Sequence, residues 1–160
     1  MTTDGRASGL GVGGTSSGFM ACDLARSVAA GDAAALPLLL RDLHPAVSAY
    51  SRARARNVGH PFSEADRLAL DACRSILAAL ASPSGADLPF LRLAYSLAAE
   101  TADTRFAVRR DAPLTRLQQD ILILRTIVGL DPEQTAVAMA LSPRRVRVEQ
   151  HAALSSLRAA

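Results

Sequence analysis

Lysine and tryptophan are both absent from this chain of 160 residues. Without lysine, neither Schiff-base chemistry nor a phosphate-binding loop of the G-x-x-x-x-G-K type is available. All 18 basic residues are therefore arginine, and with 15 acidic residues they give a net charge of +3. This mild positive charge permits an anionic partner but does not require one.

Aromatic residues make up only 4% of the sequence, whereas hydrophobic residues reach 49%. Such a core must be built from alanine, leucine, valine and isoleucine, a mixture that favours helices. Apolar residues recur at helical spacing throughout the chain, and no segment alternates as a half-buried strand does. The sequence therefore predicts an all-α fold.

Cysteine is scarce as well. Cys22 and Cys73 have no C-x-x-C spacing and no neighbouring histidine, a pattern typical of free thiols in a reducing compartment. No segment resembles a signal peptide, and no apolar run approaches the length that spans a membrane. We expect a cytoplasmic protein that does not associate with membranes.

Residue types that can serve in catalysis or bind metals are scattered along the chain and form no recognisable site. His44, His60 and His151 lie far apart, and none belongs to a metal-binding pattern such as H-E-x-x-H. Asp66 and Asp71 stand at i and i+5 of a predicted helix, which does not hold them as a facing pair. We therefore expect no enzyme activity, no metal and no cofactor.

Composition divides the chain into three parts. Residues 1–20 are rich in glycine and serine and are expected to form a disordered tail; "GLGVGG" within them lacks the preceding strand of a dinucleotide-binding loop. Residues 21–110 are predicted to form one small helical domain, and residues 111–160 a second. A short hinge, Asp111–Pro113, joins the two.

Caps and prolines predict the first helix boundaries. Asp23 is expected to cap a short helix that runs to Ala30. Pro45 is expected to kink or end the helix that follows, because an interior proline costs about 3 kcal/mol or more.

The next two helices have start signals of other kinds. Ser63 and Asp66 resemble a capping box that opens a helix ending near residue 81. Asp87, with Pro89 at the first helical position, is expected to open a helix that runs to about Arg109.

The second domain contains the stretch "LDPEQTAVAMALSPRRVR", in which two helix starts of one type stand close together. Asp131 and Ser142 are each followed by proline, and a capping residue before proline is typical of a first helical turn. The stretch therefore predicts a short helix over 132–139, a turn at 140–141 and a longer helix over 143–158.

A further helix, ended by Gly129, precedes this pair. It is expected to carry four apolar residues on one face: Leu117, Ile121, Leu124 and Val128. Four others are expected to pack the paired helices across their turn: Ala136, Met139, Leu141 and Val146. The pattern as a whole predicts a helix-turn-helix.

Three arginines follow the second helix start: Arg144, Arg145 and Arg147. In DNA-binding helix-turn-helix proteins this part of the second helix faces base edges in the major groove. Arginine pairs with guanine or neutralises phosphate, and the helix N-terminus, which Ser142 caps here, attracts phosphate. We predict that these four residues contact DNA.

Nearby residues modify this prediction. Glu133 and Glu149 oppose strong binding, so the affinity of this unit alone is expected to be weak. His151, farther along the helix, either touches the DNA backbone or faces solvent.

The segment Leu114–Ala159 resembles the C-terminal domain of bacterial RNA polymerase sigma factors of the extracytoplasmic-function (ECF) group. In that group a hydrophobic "vLlLR" helix leads to "GLs", "EEIAEALGLSPGTVR" and a final "AL..LR". The matching residues are Ile123, Leu124, Arg125, Gly129, Leu130, Glu133, Ala136, Leu141, Ser142, Pro143, Val146, Arg147, His151, Ala153, Leu154, Leu157 and Arg158. In the family this domain reads the upstream promoter element, a role that the resemblance extends to the three arginines.

The first domain is similar, more loosely, to the N-terminal domain of the same family. "SEADRLALDACRSILAAL" falls where the family has its polymerase-docking helix, and "LPFLRLAYSLAAETADTRFAVRR" falls on the helix that reads and melts the downstream element. The resemblance implies polymerase-docking residues Asp66, Arg67, Leu70 and Asp71. It implies further DNA-binding residues Tyr95, Arg105, Arg109 and Arg110.

Several positions depart from the family pattern. Arg67 replaces an acid and Leu70 a glutamine in the docking motif. In the melting helix Leu93 replaces tryptophan, which removes a stacking surface worth about 1–3 kcal/mol, and Glu100 replaces asparagine. A hinge of about three residues, at no more than 3.6 Å each, does not bridge widely separated promoter elements.

The leading interpretation is a sigma-like transcription initiation factor that binds core RNA polymerase and promoter DNA. The resemblance also allows an anti-sigma protein as a partner. One alternative is a degenerate sigma paralogue that acts as a non-initiating interaction module, which the short hinge and the altered docking motif favour. Another is a plain helix-turn-helix regulator, for which a dimer is expected.

Overall fold

Helices form the entire regular structure of the described chain. The computed structural model describes residues 16–107, 109 and 111–160, with side chains from residue 21 onward. This part contains no strand, which confirms the all-α prediction, and none of its helices is long and apolar enough to cross a membrane. The helices are α1 (Ser16–Ala29), α2 (Ala35–Val58), α3 (Phe62–Leu80), α4 (Pro83–Ala86), α5 (Phe90–Asp103), α6 (Arg116–Leu122), a π-helical segment (Ile123–Val128), α7 (Pro132–Met139) and α8 (Pro143–Ala159).

The main core lies between α2, α3 and α5. Small side chains line many of the contacts, so the helix axes approach closely. The buried residues recur at helical spacing: Leu39, Leu43, Val47 and Tyr50 on α2; Ala65, Ala69, Ala72 and Ile76 on α3; and Leu93, Ala98 and Ala102 on α5.

Helix α2 passes through Pro45 without a boundary. The proline removes one backbone hydrogen bond, but Leu43 before it and Val47 after it are buried in the same core. Tertiary packing of this apolar face outweighs the local penalty. A helix end at Pro45, one of the two predicted outcomes, is therefore wrong.

Three of the predicted N-caps are wrong. Asp23 lies inside α1, where it accepts a hydrogen bond from Arg26 at 2.9 Å. Ser63 lies within α3, and Asp87 follows the one-turn helix α4. Prolines, Pro61 and Pro89, occupy the cap positions of α3 and α5, and neither cap makes a side-chain hydrogen bond.

Two helix ends also differ from the prediction. Helix α1 begins at Ser16, within the predicted tail, and its later residues Leu24, Ala25 and Val28 pack on the main core. Residues 1–15 lie outside the described part. Helix α5 ends at Asp103, not near Arg109. Phe106 turns into the core there, and its carbonyl accepts a hydrogen bond from Arg54 Nη2 at 2.8 Å.

The π-helical segment redirects the helix that precedes Gly129. Leu117 and Ile121 pack toward α7 and α8, whereas Leu124 and Val128 pack on the main core. The wider turn of a π-helix rotates the side chains that follow it. The prediction that these four residues share one face is therefore wrong, although Gly129, at φ +87°, ends the helix as predicted.

Candidate nucleic-acid interface

Both predicted helix starts of the helix-turn-helix are confirmed. Asp131 caps α7: its Oδ1 accepts from Gln134 N at 2.7 Å, and Gln134 Oε1 accepts from Asp131 N at 3.0 Å. Ser142 caps α8, where its Oγ accepts from Arg145 N at 3.1 Å. A proline occupies the first turn of each helix.

The turn between α7 and α8 is tight. Ala140 adopts a left-handed conformation, with φ 54° and ψ 43°, and Leu141 N donates to Ala136 O at 2.9 Å. Val146 of α8 is thereby buried against Ala136 of α7 and Ile121 of α6. This small core fixes the start of α8, and the predicted packing across the turn is confirmed.

The predicted arginines lie in the first turns of α8 and are exposed. Arg145 Nε donates to Glu149 Oε1 at 2.8 Å, and Arg147 Nη2 donates to Glu133 Oε1 at 2.6 Å. Glu149 is itself held by Gln118 Nε2 of α6 at 3.2 Å. The Arg147–Glu133 pair is exposed on both sides, and such a pair contributes only about 0–1 kcal/mol, so a phosphate or base can replace Glu133.

The other residues predicted to contact DNA lie in several parts of the chain, and two of them form ion pairs. His151 is exposed on α8. Arg105 donates to Glu64 of α3 at 2.8 Å, and Arg109 donates to Asp111 at 3.1 and 3.3 Å. Arg110 lies outside the described residues. Tyr95, the remaining one, is half-buried.

The predicted docking residues share one face of α3. Asp66 accepts from Arg52 Nε at 2.6 Å and Nη2 at 2.8 Å, and these hydrogen bonds lower the pKa of Asp66 below its ordinary value. Arg67 and Leu70 are exposed beside it. Asp71 accepts from Arg74, one turn away, at 2.9 Å.

The structure contains a buried polar group that the sequence did not predict, which we call the Asp120 cluster. Asp120, on α6, accepts from Tyr50 Oη at 3.1 Å, from Tyr95 Oη at 2.8 Å and from Arg116 Nε at 2.6 Å. Arg54 lies at 3.5 Å from the same carboxylate and donates to Tyr50 Oη at 2.9 Å. The cluster consists of Tyr50, Arg54, Tyr95, Arg116 and Asp120.

The cluster is fully satisfied. Asp120 and Arg54 are each 1% exposed, and every buried side-chain N or O among the described residues has a hydrogen-bond partner. Burial, and then the charge of Asp120, raises the pKa of both Tyr50 and Tyr95 above the ordinary value. Both hydroxyls therefore stay protonated and act as donors.

A local signal for the cluster exists in the sequence. Arg116 with Asp120, and Tyr50 with Arg54, are pairs at i and i+4, which lie side by side on a helix. Nothing local, however, indicates that these two pairs, about 70 residues apart, meet. The described residues also contain no group of His, Cys, Asp and Glu side chains placed to hold a metal.

Comparison with known proteins finds relatives among curated sequences. No protein-family model matches the chain, and no solved structure matches it. The chain is 32% identical over 165 aligned residues to the ECF RNA polymerase sigma factor SigD of Mycobacterium tuberculosis and to that of Mycobacterium bovis, an alignment that covers 81% of this chain and 78% of each relative. It is 28% identical over 169 residues to the ECF RNA polymerase sigma factor ShbA of Streptomyces griseus, covering 81% of this chain and 88% of that protein. The chain belongs to the family of ECF RNA polymerase sigma factors.

Proposed function

We propose that this chain is a transcription initiation factor that binds core RNA polymerase and directs it to specific promoters. The observation that carries the proposal is the start of α8. A capped helix N-terminus presents three exposed arginines, held in place by a small core, in a chain of the sigma family.

Helix α8 is the part of the molecule that reads the upstream promoter element in this proposal. The N-terminus of α8 carries a partial positive charge that attracts phosphate. Arg144 and Arg145 enter the major groove from the first turn, where arginine makes paired contacts to guanine. Arg147 exchanges its ion pair with Glu133 for a hydrogen bond to a DNA phosphate, because a charge-assisted bond to phosphate is stronger than an exposed ion pair.

Helix α3 is the proposed polymerase-docking element. Its exposed face combines a carboxylate, Asp66, with an apolar side chain, Leu70, a mixture found at protein–protein contacts. The polymerase carries out the chemistry, and the chain itself has no catalytic role. Because the polymerase and its promoters are in the cytoplasm, this is also the proposed location of the chain.

A non-initiating interaction module is the second candidate. Arg67 is exposed on the docking face, where the family pattern has an acid. A chain with this change can still bind polymerase or a regulator without opening promoters.

Two measurements in order distinguish the candidates. Size-exclusion chromatography of the full chain with core RNA polymerase tests docking, and run-off transcription with the same components tests initiation. The proposal predicts co-elution and new transcripts. Co-elution without transcripts supports a non-initiating module that binds polymerase. Failure to co-elute overturns the initiation factor and leaves only a module that binds a regulator.

A further inference from the structure

The first two turns of α8 carry one large exposed apolar side chain. Val148 is 56% exposed, more than any other large hydrophobic side chain among the described residues. Valine is also a weaker helix former than alanine, so neither the core nor the helix gains from it at this position. A single exposed valine is ordinary on a protein surface, and its neighbours therefore decide what it can do.

Two buried residues fix the rotation of α8 about its axis. Val146 and Ala153, seven residues apart, are fully buried and mark the side of the helix that faces the protein. Successive residues of an α-helix are about 100° apart, so Val148 lies about 200° from Val146, almost opposite the buried side. Arg144 and His151, at i−4 and i+3 from Val148, share this outward face.

Positive charge surrounds Val148 on that face. Arg144 precedes it by one turn, and Arg145 and Arg147 lie on its two flanks; all three are exposed. Contacts to phosphates position a protein on DNA but carry no sequence information, which comes from contacts to base edges in the grooves. An apolar side chain at the centre of a basic face cannot bind phosphate, but it can contact a base edge.

Thymine is the base whose major-groove edge matches an apolar side chain. It presents a 5-methyl group there, whereas guanine, adenine and cytosine are distinguished by polar donors and acceptors. Valine placed against such a polar group would keep it from water and give it no partner, which costs free energy. Branching at Cβ also restricts Val148 to few rotamers, so its methyl groups are held in place before DNA binds.

The spacing along α8 places this contact relative to the arginines. Val148 follows Arg144 by four residues, or about 6 Å along the helix axis. Adjacent bases of one strand are about 3.4 Å apart along the duplex. A helix that lies along the groove therefore brings the two side chains to bases about two steps apart.

We propose that Val148 is a specificity-determining residue: it contacts the 5-methyl group of a thymine that lies within about two base pairs of a guanine read by Arg144. This inference rests on the proposed function, because it assigns a base preference to the helix that reads the upstream element there. It names part of the upstream sequence that the chain selects.

The test begins with a pool of DNA duplexes that carry a randomised segment. Full-length chain bound to core RNA polymerase selects from this pool, and core polymerase alone defines the background. Each thymine of the selected element is then replaced in turn by deoxyuridine, which removes only the 5-methyl group. Fluorescence anisotropy of the complex is expected to show about fourfold weaker binding at one thymine, the effect of losing one buried methyl group.

Val148→Ala identifies the side chain that makes this contact. On the unmodified duplex it should weaken binding by a similar factor, and it should make deoxyuridine at that thymine harmless. Alanine is the better helix former, so helical circular dichroism should be unchanged. Leu157→Ala removes another exposed apolar side chain, in the last turn of α8, and should keep the wild-type response to deoxyuridine.

The outcomes separate this contact from the proposed function. The contact is overturned if every deoxyuridine affects wild type and Val148→Ala equally, or if the selected element has no thymine within two base pairs of a guanine. Either result leaves the proposed function intact, because an element was selected. If the complex selects nothing beyond the core-polymerase background, the proposed function itself is contradicted, and the contact with it.

Discussion

The arginines of α8 meet different neighbours in the free protein. Arg145 is held by Glu149, which is itself only 16% exposed and bonded to Gln118. Arg147 reaches across to Glu133, an exposed residue of α7. If α8 binds DNA as proposed, both carboxylates are displaced. This lowers the net gain from each arginine, and we therefore expect a modest affinity for α8 alone.

Replacing Arg144 or Arg145 by alanine is expected to weaken binding to the upstream element by roughly tenfold each, since a paired arginine–guanine contact is worth about 1–3 kcal/mol. Fluorescence anisotropy with a duplex that carries a mapped promoter measures the change. Arg26→Ala, which removes an exposed, ion-paired arginine on α1, is the matched control. Equal affinity for the control and the two variants would exclude both residues from the interface.

The two tyrosines of the chain, Tyr50 and Tyr95, both belong to the Asp120 cluster. Their pKa values are raised in the folded protein, so the unfolded chain releases these protons at a lower pH than the folded one. Their contribution to stability is therefore complete below about pH 10, the ordinary tyrosine pKa, and declines as the pH rises above it.

Alkaline titration is expected to show this directly. Tyrosinate absorbance should stay low in the folded protein above pH 10 and appear together with the loss of helicity, while the urea midpoint falls between pH 9 and 11. The Tyr50→Phe/Tyr95→Phe variant should lack most of this fall. Tyrosinate that appears near pH 10 in a fully helical protein would contradict the buried cluster.

At the scale of single elements, the sequence predicts α7 and α8 well. Asp131 and Ser142 each combine a capping side chain with a following proline, so the helix start is encoded within four residues and needs no tertiary contact. The N-caps of α3 and α5 carry no side-chain hydrogen bond, and there the local pattern pointed to Ser63 and Asp87 instead.

The turn between α7 and α8 can be tested separately. Ala140 is the one described non-glycine residue with positive φ, and this region is unfavourable for a residue with a Cβ by about 1–2 kcal/mol. Ala140→Gly is expected to raise the free energy of unfolding by about 0.5–1 kcal/mol, after the larger chain entropy of glycine is subtracted. Urea unfolding measures it, and Ala159→Gly at the exposed end of α8 is the control; a destabilised Ala140→Gly would contradict the turn geometry.

The course of α2 and of the π-helical segment could not be predicted, because both depend on distant contacts. Pro45 predicts a kink or an end in α2, yet the buried residues on either side of it belong to one core. The regular spacing of Leu117 and Leu124 predicts that both lie on one helix face. In the structure, however, Leu117 packs on the small core of α6–α8 and Leu124 packs in the main core. In both places tertiary packing overrides the local signal.

At the scale of the whole molecule, the sequence predicts the family but not the packing of the C-terminal helices against the N-terminal helices. The cap, turn and arginine pattern of residues 131–147 is local, so the resemblance could be recognised without a structure. The contact of Asp120 with Tyr50 and Tyr95 joins residues 70 and 25 positions apart, and no local pattern specifies it. For the same reason the half-buried state of Tyr95, a predicted DNA-binding residue, could not be foreseen.

The connection between the N-terminal and the C-terminal helices is longer than the sequence predicts. Helix α5 ends at Asp103 and α6 begins at Arg116, so roughly twelve residues join them and span at most about 40 Å when extended, whereas the predicted hinge, Asp111–Pro113, has three.

Run-off transcription with core RNA polymerase, the purified chain and fragmented genomic DNA tests whether the chain initiates transcription. We expect discrete start sites that require the chain, that share a common upstream sequence, and that are lost with Arg144→Ala/Arg145→Ala but kept with Arg26→Ala. If no new start sites appear, while the same core polymerase is active with another initiation factor, the chain does not initiate transcription and the proposed function is wrong.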